Sequence, residues 1–166
     1  MVPRDRADGL VVVPGGLIAV PTAVAHERFL RAEQLHKEND VQYDELIEKV
    51  AERAGTDRET AQALTVATLQ TLAERITGGE AEDLAAQLPE PLKRAIPERP
   101  AGTAEAFDLA EFERRVAERA GLDQGSVEHQ VRAVFRVLRE AVTGGEFDDV
   151  LAQLPNEYRA VTTAVA

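Results

Sequence analysis

The sequence predicts an all-α protein built as a duplicated helical bundle, and three observations predict it. Residues 45–96 return without a gap at 111–162, at a constant offset of 66, with 20 of 52 aligned positions identical. Within each copy the apolar residues recur at i, i+3 and i+4, the spacing of a helix with one buried face. Aromatic residues are only 4% of the chain and Trp is absent, so the core is expected to consist of Ala, Val and Leu, the composition of closely packed helices.

Residues 1–40 form an N-terminal extension outside the repeat. Leu10-Val-Val-Val-Pro-Gly-Gly-Leu-Ile-Ala-Val20 is an apolar run interrupted at Pro14, Gly15 and Gly16. It reads as a short hairpin about a Pro-Gly-Gly turn, as a signal peptide ahead of the Ala23-Val-Ala25 pattern, or as a flexible tail. Two Arg and two Asp in the first nine residues deny it the positive start of a signal peptide. The expected location is therefore the cytoplasm, with export the alternative if residues 1–25 act as a signal. The chain has no stretch of about 18 uninterrupted apolar residues, so no integral membrane association is expected. From Ala25 to about Glu38, the spacing of Ala25, Phe29, Ala32 and Leu35 predicts one amphipathic helix, able to pack on the repeats.

The first repeat spans 43–96 and the second 107–162, with about four helices in each, two long and two short. Leu46, Ile47, Val50, Ala51 and Ala54 mark the first helix, stopped by Gly55, and the copy stops at Gly121. Thr56-Asp-Arg-Glu59 has the form of a capping box for the second helix. That helix places Ala61, Leu64, Thr68, Leu72 and Ile76 on one face, and its copy places Val127, Val131, Phe135, Leu138 and Val142 there. Gly78 with Gly79, and Gly144 with Gly145, are expected to end these second helices. A third helix runs from about Glu80 to Leu88, halted by Pro89, as its copy is by Pro155. A brief fourth helix covers Pro91 to Ile96. Residues 97–106, with two prolines and a glycine, form a linker. One copy of about 55 residues buries too little apolar surface to be comfortably stable. The two copies are therefore expected to pack face to face about a pseudo-twofold axis, as a single domain over 41–166.

The net charge is −11, nearly all of it carried by residues 43–166. Such a surface argues against nucleic acid, whose phosphates need Lys and Arg. The absence of Cys excludes disulfides, thiolate nucleophiles and zinc–sulfur sites. The acids after each Gly-Gly, Glu80 and Asp83 with Glu146 and Asp149, are weak candidates for a cation site. First-turn carboxylates also complement a helix dipole without any ligand, and no Asp-x-Asp-x-Asp-Gly loop surrounds these. Gln87 and Gln153 precede Leu-Pro in both copies, where a side-chain amide can serve the open helix end. Glu33 and His36 make half of a di-iron motif that needs a second pair, and His129 aligns with Ala63. No metal, cofactor or catalytic residue is assigned. The remaining shared residues, Gly55, Gly78, Gly79, Pro89, Gly121, Gly144, Gly145 and Pro155, have structural reasons sufficient in themselves.

Taken together, Tyr43-Asp44, Val50 to Gly55, Asp57, Thr77 to Glu80, Asp83 and Gln87 to Pro89 resemble the bacterial domain of unknown function 2267. Phe107-Asp108, Val116 to Gly121, Asp123, Thr143 to Glu146, Asp149 and Gln153 to Pro155 repeat that pattern, so the resemblance is to two tandem copies. It implies a small, soluble, all-helical bacterial protein and no catalytic residues. The expected function is a non-enzymatic helical interaction module with a protein partner or a second copy of itself. The alternative is a small-ligand or cation-binding protein that uses the cleft between the repeats.

Overall fold

A computed structural model describes residues 10–13, 16–19, 22–100, 102–142 and 145–162, with side chains from residue 26 onward. The chain divides into two units, residues 1–40 and 41–166. In the first, β1 (Leu10–Val13) pairs antiparallel with β2 (Gly16–Ala19), with Leu10 opposite Ala19 and Val13 opposite Gly16. Pro14, Gly15 and the Ala23-Val-Ala25 side chains lie outside the described residues.

Helix α1 (Thr22–Ala54) joins what the sequence pattern reads as two helices, 25–38 and the first helix of the repeat. No glycine or proline stands between Glu38 and Tyr43 to stop it. It ends where Gly55 adopts φ +67, a conformation open to Gly without steric cost. From residue 46 onward it buries Leu46, Ile47, Val50 and Ala54.

Helix α2 (Arg58–Arg75) starts on Asp57, whose carboxylate accepts from the Thr60 backbone N–H at 2.8 Å. The cap is therefore Asp57 and not Thr56, because the charged acceptor already meets the exposed N–H. Leu64, Thr65, Thr68, Leu69 and Leu72 are buried, and α2 is enclosed over most of its circumference. The hydroxyls of Thr65, Thr68 and Thr71 donate at 2.7 Å to the carbonyls of Ala61, Leu64 and Ala67, so these polar groups enter the core already satisfied.

The glycine pairs do not end the second helices. The α2 ladder closes at Ile76 in extended geometry (φ −105, ψ 170), with the side chain fully buried. Extended backbone suits a β-branched residue, and burial of Ile76 turns the chain inward before the glycines. Gly78 and Gly79 instead open α3 (Gly78–Ala86), capped by Thr77. Gly78 is needed for close approach: a Cβ there would stand 2.6 Å from the carbonyl oxygens of Arg99 and Pro100. α4 (Glu90–Lys93) follows Pro89 and buries Leu92.

The second repeat supplies α5 (Leu109–Ala120), α6 (Gln124–Ala141) and α7 (Glu146–Ala152), then a 3-10 turn (Asn156–Tyr158) and α8 (Arg159–Thr162). Gly121 ends α5 at φ +67, as Gly55 ends α1. Asp108 and Asp123 cap α5 and α6. The α6 ladder closes at extended Val142. Gly145, at φ +82, precedes α7, and Gly144 lies outside the described residues.

The core is not uniform. Its second half gathers most of the chain's aromatics, contrary to the core of Ala, Val and Leu expected from composition. Phe112 packs on Phe135 at 5.8 Å and edge-on against Tyr158 at 5.5 Å, and Phe135 on Phe147 at 6.0 Å. Each such pair adds about 0.5–1.5 kcal/mol beyond area burial. The buried Tyr158 hydroxyl donates to the carbonyls of Phe107 and Asp108, both at 3.1 Å, and burial pushes its pKa up to about 12.

Among the described helices, α2 lies most extensively against α5. Glu74 on α2 receives Arg115 at 2.8 Å and Arg119 at 2.5 Å. Arg119 also donates to the Thr71 hydroxyl at 2.8 Å. Arg115 lies 4.2 Å over the Phe107 ring. The linker is held to α2 by Glu105 N–H to the Glu74 carbonyl (2.8 Å), Arg99 to the Ala73 carbonyl (3.1 Å) and Arg75 to the Phe107 carbonyl (3.0 Å).

Two predictions come from this packing. Gly78→Ala forces a methyl into the linker backbone and should lower stability by about 1–3 kcal/mol in urea unfolding, whereas Gly79→Ala, in open space, should not. The second concerns acid. Burial disfavours the Glu74 carboxylate, but the hydrogen bonds and charges of Arg119 and Arg115 outweigh it and leave its pKa lowered. Hydrogen bonds from Arg114 and Arg115 hold Glu111 at about 2. Folded values below unfolded ones give stability that is complete above the ordinary carboxylate range and drains as pH falls toward about 2. Circular dichroism should show helix loss setting in below about pH 4.5. Glu74→Gln should cost about 1–3 kcal/mol at pH 7 and flatten part of that acid transition.

Candidate functional site

The carboxylates singled out by the repeat do not converge. Glu80 and Glu146 are half-buried in the first turns of α3 and α7, while Asp83 and Asp149 are exposed one turn on. Among the described residues, no three acidic or histidine side chains stand close enough together to hold a metal ion. His36 lies 3.5 Å from Asp40 on an exposed stretch of α1. The dipole of each short helix is reason enough for its first-turn acids.

Gln87 and Gln153 stand at the C-caps of α3 and α7. Their backbone N–H groups donate to the carbonyls of Leu84 (3.1 Å) and Val150 (3.2 Å), and both residues are exposed. The Leu-Pro that follows is the packing element. Leu88, Pro89 and Leu154 are buried and Pro155 is half-buried.

The chemistry concentrates elsewhere. A concavity of about 340 Å3 is lined by Arg53 of α1 and by His129, Arg132, Ala133 and Arg136 of α6. Positions 129, 132 and 136 share one side of a helix by spacing alone. Arg53 grips Glu140 with two nitrogens, at 2.8 and 2.9 Å, and its hydrogen bonds lower the Glu140 pKa. Arg132 reaches Glu128 at 2.8 Å and the Ala160 carbonyl at 2.9 Å. Arg136 has no ion pair among the described residues, and its Nε is buried without a hydrogen-bond acceptor.

The repeat does not account for this cluster. At an offset of 66, Arg53 corresponds to Arg119, but His129, Arg132 and Arg136 correspond to Ala63, Val66 and Gln70. The same helix face therefore folds without the cations in the first copy. Sequence reasoning weighed His129 only as a metal ligand, and its mismatch with Ala63 removed it from view. The available signal was the i, i+3, i+7 run of basic residues in one copy alone.

Two larger concavities differ in charge: the first is lined by two basic residues, Arg139 and Arg159, and in the second Lys93, Arg94 and Arg99 stand among Glu82, Glu90 and Glu98. One of about 570 Å3 lies beside Tyr158 and Arg159, and one of about 770 Å3 lies between α3, α4 and the linker at Gly78 and Arg99.

A family model described as "Uncharacterized conserved protein (DUF2267)" matches residues 43–161. No curated protein matches the chain.

Near the cationic concavity, Glu113 stands where the first copy has Ile47, and its Oε1 is buried without a hydrogen-bond partner. Burial and the Glu128 carboxylate raise its pKa, with Arg132 opposing. A folded value above the unfolded one makes ionisation of Glu113 destabilising at neutral pH, a cost that vanishes once acid protonates it. Glu113→Gln should therefore raise the melting temperature at pH 7 by roughly 2–4 °C. Its advantage should shrink as the pH falls through the carboxylate range, as followed by calorimetry.

Proposed function

The chain belongs to the DUF2267 family of uncharacterized conserved proteins, and from that premise we propose that it acts as a non-enzymatic helical interaction module. The observation that carries this reading is an apolar stretch of α1 left in solvent. Phe29 is 62% exposed, Leu30 49%, Leu35 53% and Val41 57%, all within residues 29–41. Exposed apolar residues gathered on one element mark a docking surface far more often than single scattered ones. At 100° per residue, Leu30 and Val41 share one side of the helix, and Phe29 and Leu35 each lie about 100–140° from that pair, on two other sides. A helix apolar on more than one side is suited to being enclosed by other helices.

We further propose that residues 43–162 are two tandem copies packed about a pseudo-twofold axis. Two ion pairs support this. Arg53 of the first copy binds Glu140 of the second, and Arg119 of the second binds Glu74 of the first. Each pair becomes the other when 66 is added to one residue and subtracted from the other. The equivalent helices α3 and α7 also touch, as equivalent elements do at an axis. A cytoplasmic protein of a bacterium, acidic and soluble, is the setting this reading supposes.

The test is a double variant, Phe29→Asp with Leu35→Asp, at exposed positions that leave the core intact. Wild-type protein should either associate with itself in light scattering or capture one reproducible partner from its host, and the variant should lose that association while keeping its melting temperature. A wild-type chain that stays monomeric and captures nothing, or a variant that retains the association, overturns the proposal.

A further inference from the structure

We propose that Arg53, His129, Arg132 and Arg136 form a binding site for a small ligand bearing a phosphate group. The site brings three guanidinium groups and an imidazole to one concavity of about 340 Å3, in a chain whose net charge is −11. Random scatter of basic residues over so acidic a surface gives neighbours of opposite charge, and Arg53 and Arg132 do have them in Glu140 and Glu128. Arg136 has none among the described residues, and its Nε is buried with no acceptor. A buried donor left unmet is costly, and Arg136 itself lines the concavity, where its guanidinium adds a positive charge that no carboxylate among the described residues pairs.

Fold packing does not require the cluster. The corresponding face of α2 carries Ala63, Val66 and Gln70, and α2 forms the same kind of helix over the same length as α6. The cations are thus confined to one copy and to the face opposite Arg53. Arg53 keeps its Nε free of its bidentate pair with Glu140, and Arg132 keeps one terminal nitrogen free of Glu128 and the Ala160 carbonyl. With Arg136 and the exposed His129, four basic side chains line the concavity. Three guanidinium forks suit the three or more oxygens of a phosphate group, which they can bind in bidentate fashion. The ligand must be small. The acidic surface around the site repels an extended polyanion such as nucleic acid, whereas a single phosphate group is governed by the local cations. The volume lies at the lower end of small-molecule sites and leaves room for an organic body beside the phosphate.

The test follows the arginine Nε–H signals of the full ¹⁵N-labelled chain by NMR at pH 7, at constant ionic strength. One titration uses inorganic phosphate, one glycerol 3-phosphate and one sodium chloride. The Arg136 signal should shift and saturate with either phosphate compound and not with chloride. Tighter binding of glycerol 3-phosphate would assign the ligand as a phosphate monoester, and equal binding as the free ion. Arg136→Gln should weaken saturation by about tenfold or more. His129→Ala, at an exposed position that cannot unfold the core, should weaken it less, and this variant keeps the test informative if Arg136→Gln fails to fold. A linear response shared with chloride, or saturation unchanged in both variants, overturns the proposal.

Discussion

Residues 41–166 depend on the burial of α2, a helix that has almost no solvent face. Its leucines and alanines are enclosed on most sides, and one copy of the repeat does not contain enough surface to cover them. The second copy supplies the cover, chiefly through α5, with further contact from α6. This explains how α2 accommodates Thr65, Thr68 and Thr71 where α6 has Val131, Val134 and Val137. The shapes are equivalent, and each threonine hydroxyl is met by a carbonyl of its own helix, so no polar group is left bare in the seam.

The polar rim of that seam makes it specific. Glu74 receives two arginines from α5, and Glu140 receives Arg53 from α1. The Glu74 pairs are partly buried, so an incorrect pairing there would strand a charge, whereas the exposed Arg53–Glu140 pair contributes little. The linker is fixed by the same logic. Arg99, Glu105 and Arg75 tie it to the end of α2, and Gly78 lets its backbone lie against the start of α3.

The repeated sequence separates residues that both segments carry from residues that only one carries. Residues present in both, Gly55 with Gly121, Asp57 with Asp123, Leu88-Pro89 with Leu154-Pro155, serve helix ends and core. Residues in one copy are of two kinds. The aromatic set around Phe112 fills the second half of the core, where the first copy uses smaller side chains. The cations at 129, 132 and 136 fill no core, and Glu113 places a carboxylate where the first copy has Ile47. The unshared polar residues are therefore better guides to activity than the motif that repeats.

By itself the sequence determined the long helices that follow Gly55 and the stops at Gly55 and Gly121, because period, capping and positive φ are local properties of a few neighbouring residues, but it divided α1 in two. It also carries one motif twice, at an offset of 66. It misassigned the Gly-Gly pairs as helix ends, since the need for Gly at 78 comes from Arg99 and Pro100, more than twenty residues away, and no local rule reports that approach. It offered four acids as a site, and the structure keeps them apart. The meeting of Arg53 with α6 joins residues more than seventy positions apart, and the placement of whole helices decides it. Local chemistry fixes what each helix is. The burial of α2 and α6 against their neighbouring helices fixes which side chains meet, and the candidate site is a consequence of the second.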